Sequence, residues 1–180
     1  MPWTVPPTWS AGVKDQPTLT DYNQLIRDNP NYLLSGRPLL NTPYLGSSFT
    51  SSTTSWAAVS TTNARMSPTL NSNRVQGYFA FPFKLSFSGS GVAYAWFDVA
   101  VDGVRIGDTT LGIIPAPTEG DAALKLVIVP FAISGLSNLA PNIDLYWKLK
   151  VNSGTGYAMN ILCATGTDGH SPLQKVLLEV

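Results

Sequence analysis

The stretch that decides the fold is residues 75–87, which read VQGYFAFPFKLSF. Apolar side chains occupy every second position along its second half: Phe79, Phe81, Phe83, Leu85 and Phe87. A period of two predicts a β-strand with one face buried in a core, because successive side chains of a strand point to opposite faces. Pro82 lies on the other face and has no N–H to donate, so we expect an edge position or a β-bulge there.

The sequence that follows predicts more strands joined by short turns. The segment 92–101, VAYAWFDVAV, is followed by Asp102-Gly103, and an Asp-Gly pair between apolar runs predicts a hairpin with a type I′ turn. Other strands are predicted at 124–133, where we expect full burial, and at 143–151, 157–164 and 173–180. We count about seven or eight strands after Trp56 and no crossover helix, which indicates an all-β, antiparallel sandwich or jelly roll.

The N-terminal part has a different texture. Residues 1–17 contain four prolines, which exclude a helix or a central strand and predict an extended arm. A short helix is predicted at about 18–28, where Leu19, Tyr22 and Ile26 fall on one face before Pro30 ends it. The Ser/Thr run 47–55 fits either a flexible linker or a polar strand. We therefore divide the chain into an arm of residues 1–46 and a β-domain of residues 47–180.

The composition excludes several classes of function. Only 12% of the 180 residues are charged and the formal net charge is zero, which argues against a nucleic-acid binder because phosphate contacts need a basic surface. No apolar run is long enough for a transmembrane helix, and the N-terminus has no signal-peptide pattern, so we expect no membrane partner. A neutral, charge-poor surface tends to associate, so an oligomer is expected.

Residues with catalytic chemistry are few. His170 is the single histidine and sits in a Gly-rich loop, where a solvated side chain is expected. Cys163 lies in an apolar strand and is expected to be a small buried hydrophobe. Asp102 belongs to the predicted turn, and Asp98 is expected to be exposed or at a subunit contact. We therefore predict a non-enzymatic protein with no catalytic residues, no cofactor and no metal site.

The strand aromatics leave two alternatives open. Tyr78, Tyr94, Trp96 and Trp147 lie in predicted strands. Such side chains mostly pack in the core of a sandwich, but they also stack on sugars or on the side chains of a partner protein. Trp3 and Trp9 on the arm pose a similar choice, because each must bury its ring either on its own domain or on a neighbouring subunit.

Two stretches carry a resemblance to a known family. Residues 9–38, W-S-A-G…L-T-D-Y-N-Q-L-I-R-D-N-P-N-Y-L-L…R-P, resemble a segment near the N-termini of tailed-bacteriophage structural proteins. The matching residues are Trp9, Leu19, Thr20, Asn23, Ile26, Arg27, Asp28 and Asn29. Pro30 departs from that pattern, which often continues as helix. Residues 56–180 look like phage jelly-roll heads of the tumour-necrosis-factor or C1q type, which are commonly trimeric.

The resemblance implies a virion structural protein, and a capsid decoration (cement) protein fits the length of the chain best. Its partners would be two further copies of itself and the major capsid protein or another virion protein, on the exterior of the capsid. The arm would supply the docking residues: Trp3, Trp9, Leu19, Tyr22, Asn23, Ile26, Arg27 and Asp28. The alternative is a tail-fibre, collar or receptor-binding head, which implies a host glycan or receptor as partner and a place on the tail or neck.

Overall fold

The structure, a computed structural model, describes residues 40–88, 91–115, 124–163 and 172–180. Within these ranges the chain is all-β, as predicted, with twelve strands and no helix. The predicted helix at 18–28 lies outside the described residues. The strands are β1 (Leu40–Asn41), β2 (Phe49–Ser51), β3 (Ala57–Ala58), β4 (Arg65–Met66), β5 (Val75–Ser86), β6 (Val92–Val101), β7 (Val104–Arg105), β8 (Ile114–Pro115), β9 (Lys125–Ile133), β10 (Ile143–Ser153), β11 (Ala158–Ile161) and β12 (Gln174–Glu179).

The twelve strands form two antiparallel sheets of six strands each. In the first sheet β5 pairs with β9 on one side and with β12 and β11 on the other, and β12 and β11 pair in turn with β1 and β2. In the second sheet β10 pairs with β6 on one side and with β3 and β4 on the other, while β6 also pairs with β7 and β8. The strand count exceeds the prediction because two-residue strands are too short to show a hydrophobic period.

A shared apolar core holds the two sheets together. Phe81 and Phe83 of the first sheet both contact Phe97 of the second, with ring centroids 5.0 and 5.1 Å apart in edge-to-face geometry. All three side chains are fully buried or nearly so. The alternation that predicted β5 therefore has its expected cause, since its odd-numbered residues fill the space between two sheets.

Pro82 does not lie at a sheet edge, so that expectation was wrong. Strand β5 is central, and its partner on one side changes from β12, which pairs up to Ala80, to β11, which pairs from Phe83 onward. The carbonyl of Pro82 accepts a hydrogen bond from the Leu162 N–H at 3.0 Å. The N–H that Pro82 lacks would point to this same side, in the gap between the β5 residues that pair with β12 and those that pair with β11.

The domain takes in residues that the sequence prediction assigned to the arm. Strand β1 pairs with β12, Tyr44 forms a bridge with Leu173, and the Gly46 N–H donates to the Cys163 carbonyl at 3.2 Å. Strand β2 lies within the Ser/Thr run, which decides that part of the run in favour of a polar strand. The sheet thus begins at least as early as Leu40.

The predicted hairpin is confirmed. Asp102 and Gly103 have φ values of 48° and 84°, and β6 and β7 pair on either side of them. Both central residues of a type I′ turn need positive φ, which explains why this dipeptide predicts the turn so well.

Replacement of Phe97 tests the core. We expect Phe97→Ala to lower the free energy of unfolding by about 3–5 kcal/mol, because the two facing rings lose their common partner and leave a cavity. Chemical denaturation followed by far-UV circular dichroism measures the change. Val104→Ala, at a position 71% exposed, is the control and should change stability by no more than about 0.5 kcal/mol. A loss of under about 1 kcal/mol in Phe97→Ala would contradict this assignment of the core.

Candidate functional site

The structure does not test the arm residues predicted to dock on a partner. All of them lie outside the described residues: Trp3, Trp9, Leu19, Tyr22, Asn23, Ile26, Arg27 and Asp28. His170 lies outside them as well. A candidate site is therefore built from the surfaces of the β-domain, where the outer faces of the two sheets differ sharply.

The middle of the outer face of the first sheet is apolar. Cross-strand pairs there point away from the core, such as Ala80 with Ile128 and Pro82 with Leu126; in these pairs the β9 residues are exposed and the β5 residues are buried beneath their neighbours. Leu126 is 68% exposed, Ile128 49% and Tyr78 38%. We call this surface the apolar face and define it by Tyr78, Ala80 and Pro82 of β5, Leu126, Ile128, Pro130 and Ala132 of β9, Val176 and Leu178 of β12, and Leu162. Gln76, Gln174 and Lys84 point to the same side and border it.

None of the side chains that define the apolar face carries a charge. An antiparallel sheet with one face in the core normally presents polar residues on the other, so a clean alternation of apolar-in and polar-out is the ordinary pattern. Here β9 alternates between buried and exposed positions from Leu126 onward, yet both sets are apolar. A contiguous apolar surface of this kind on a folded domain is typical of a protein contact site.

The sequence did not predict this surface. The run LKLVIVPFAI at 124–133 predicted a strand buried on both faces, and the structure instead exposes every second residue of it. An apolar run cannot distinguish full burial inside one chain from burial on one side by a partner. The apolar residues at the even positions of β9 were therefore wrongly predicted to be buried.

The outer face of the second sheet is covered by its own chain. Asp98 is fully buried there, so the expectation of an exposed or subunit-contact carboxylate was wrong. Its carboxylate accepts hydrogen bonds from Arg105 Nη1 at 2.9 Å, the Val99 N–H at 2.7 Å and the Gly107 N–H at 2.9 Å. Burial raises the pKa of Asp98, and these three donors oppose the rise because they stabilise the ionised form.

Arg105 extends this network over the sheet. Its Nη2 donates to the Thr109 carbonyl at 2.9 Å, and its guanidinium lies 4.2 Å from the centre of the Trp56 ring. Gly112, with a φ of 69°, approaches the same ring so closely that a Cβ there would lie 2.6 Å from it. The Asp98–Arg105 ion pair and the Trp56 ring thus help to hold the segment after β7 against the second sheet.

A second cation lies among the aromatic rings of this face. Lys148 projects from β10, and its ammonium nitrogen is 5.7 Å from the ring centre of Trp56 and 5.1 Å from that of Trp96. Both distances suit cation–π attraction. These contacts place Trp96 beneath other side chains, where it is 9% exposed.

The strand aromatics divide between the two alternatives left open above. Trp147 is buried in the core, and Trp96 is covered by its neighbours. Tyr94 is half-buried on the outer face of the second sheet. Tyr78 is exposed on the apolar face. Of the four, Tyr78 is therefore the residue best placed to contact a partner.

Cys163 is fully buried and shares its face with Ile161 and Met159, as the sequence predicted. Burial raises the pKa of its thiol to about 11. A raised pKa keeps the thiol protonated, whereas nucleophilic attack needs the thiolate. This environment suits a packing role.

Within the described ranges no group of three or more His, Cys, Asp or Glu side chains converges in a way that would hold a metal ion. That part of the chain also contains no helix with the length and apolarity needed to cross a membrane.

We predict that Asp98→Ala destabilises the domain by about 3 kcal/mol, because a partly buried guanidinium and two N–H groups lose their buried acceptor. Thermal unfolding measures the loss, and Trp fluorescence should change as Arg105 leaves the Trp56 ring. Asp108→Ala removes an exposed carboxylate that accepts from the Thr110 and Leu111 N–H groups, and it should cost less. Equal losses in the two variants would contradict the central role of Asp98.

We predict that Cys163 does not react with a thiol reagent at pH 8 in the folded protein and reacts fully in denaturant. Its burial excludes the reagent, and its raised pKa keeps the thiolate population low at this pH. Absorbance of the released thiolate dye gives the rate directly. Rapid reaction of the folded protein would contradict the burial of this side chain.

No known protein family matches the chain, and no curated protein is similar to it in sequence.

Proposed function

We propose that this chain is a non-enzymatic structural protein of a tailed-bacteriophage virion, and that it decorates the exterior of the capsid as a trimer. The observation that carries an assembly role is the apolar face, an exposed patch with the apolar composition that protein contact sites show. The assignment to a phage rests on the resemblance of residues 9–38 and 56–180 described above. The proposal also takes the two sheets to be connected as a jelly roll.

A decoration protein acts by adding contacts that only the assembled shell offers. Binding to the assembled state, and not to its dissociated parts, stabilises that state by mass action. In this proposal the arm lies over a capsid subunit or a neighbouring copy, and the β-domain forms the trimer. The anchors on the arm are the residues named above, with Trp3, Trp9, Tyr22 and Ile26 providing apolar contact and Arg27 and Asp28 charge-assisted hydrogen bonds.

The chemistry of the domain agrees with this role. Its ion pairs, such as Arg65 with Asp144 at 2.7 Å and Arg105 with Asp98 at 2.9 Å, join strands or hold turns of the same chain. The pKa of the Cys163 thiol is raised by burial. These groups stabilise the fold, and the apolar face is the surface that we propose to contact a partner.

Immunogold labelling of purified virions tests the proposed location. Serum raised against the full chain should label the whole head evenly if the protein decorates the capsid. Virions of a phage that lacks this gene are the control and should carry no label. Label confined to the neck or tail would contradict decoration and favour the attachment alternative, with a host glycan or receptor as partner.

Binding of purified protein to particles that lack it tests the arm. We expect Trp9→Ala to weaken attachment by at least about tenfold, because a buried Trp is among the side chains that contribute most to an interface. Val104→Lys, on the β-domain, is the control and should bind as the unmodified protein does. Unchanged binding of Trp9→Ala and of Ile26→Asp would contradict the arm as the anchor.

A further inference from the structure

The apolar face has the dimensions of an interface. Strand β9 is nine residues long. Three strand positions spaced about 4.8 Å apart and nine residues rising about 3.4 Å each give a projected area of about 440 Å². A standard protein interface uses about 800 Å² of accessible surface on each partner, and accessible area exceeds projected area. The apolar face therefore supplies more than half of what one partner contributes.

The charge of the face restricts the kind of partner. No side chain that defines the face is charged, and Lys84 is a single charge at its border, so the face offers little to a strongly acidic or basic partner. The chain as a whole has a formal net charge of zero, so two copies do not repel each other. A like surface, apolar and uncharged, matches it best, and another copy of the chain carries such a surface.

Strand β9 forms an edge of the first sheet at which proline removes one backbone donor. Among the described residues β9 pairs with β5 alone. The Pro82 carbonyl points to Leu162, away from β9, so residues of β5 at even positions direct their backbone groups away from β9. Pro130 lies opposite Tyr78 and directs its backbone outward in the same way, so the donor that proline lacks is missing from the open edge.

We propose that the apolar face is the surface through which copies of this chain associate, with Leu126, Ile128 and Tyr78 at its centre. The inference deepens the proposed function and rests on it only in taking the chain to be an assembly protein. About a two-fold axis the faces of two copies would meet each other, and in the proposed trimer the three faces would meet around the three-fold axis. Leu126 is the most exposed of the three, so association would remove the largest apolar area from water at this residue.

Leu126→Lys tests the proposal in the full-length protein. Sedimentation equilibrium should show an oligomer for the unmodified chain and at least a hundredfold larger dissociation constant for the variant, because lysine places a charge in an apolar contact. Position 126 is 68% exposed within one chain, so the variant should fold, and circular dichroism verifies this. Val104→Lys is the matched control, since Val104 is 71% exposed but lies at the turn of the second sheet.

A second measurement uses the buried native thiol. Because Cys163 is fully buried, Ile128→Cys introduces the one thiol of the β-domain that a maleimide should reach readily. We expect its labelling to slow at least about tenfold when the protein concentration is raised into the oligomeric range. Val104→Cys should label at the same rate throughout.

The outcomes separate this inference from the proposed function. A monomeric unmodified chain, or an oligomer that Val104→Lys dissociates and Leu126→Lys does not, would overturn the apolar face as the contact. Rapid labelling of Ile128→Cys within the oligomer would overturn it too. A dimer that Leu126→Lys dissociates would support the face and contradict the trimer, and immunogold labelling decides the virion location independently of all of these.

Discussion

Phe97 lies in the second sheet with its ring against Phe81 and Phe83 of the first, and the arrangement of the domain follows from this contact. It sets which side of each sheet faces inward, because a strand that slipped by one residue would turn its whole set of aromatic rings to solvent. Once the side chains at odd positions of β5 point into the core, those at even positions must point away from it. The apolar face is thus a consequence of the same register that builds the core.

The outer faces of the two sheets differ in whether the chain itself covers them. On the second sheet, the buried Asp98–Arg105 pair and the ring of Trp56 hold the chain after β7 against β6, so that the sheet is covered from within. Breaking such a pair would leave a charge in a place that water does not reach. Detachment of the covering segment is therefore coupled to unfolding of the sheet. On the first sheet the described residues supply no such cover to Leu126 and Ile128.

This asymmetry connects the fold with the proposed role. Among the described residues the domain covers much of the outer face of the second sheet and leaves the apolar face of the first exposed, and burial of that face lowers the free energy on association. Pro130 removes one backbone donor from the open edge of β9, which weakens the addition of a further strand there. Both features suit a protein that works as part of a larger particle.

The sequence by itself determined the local elements. The alternation in 75–87 predicted β5, the Asp-Gly pair predicted the turn between β6 and β7, and the apolar neighbours of Cys163 predicted its burial, because each depends on residues close together in the chain. Only the tertiary structure decided that Pro82 is central, that Asp98 is buried and that β9 is open on one side. These depend on partners distant in sequence: the change from β12 to β11, the guanidinium of Arg105, and the lack of a covering layer over Leu126 among the described residues.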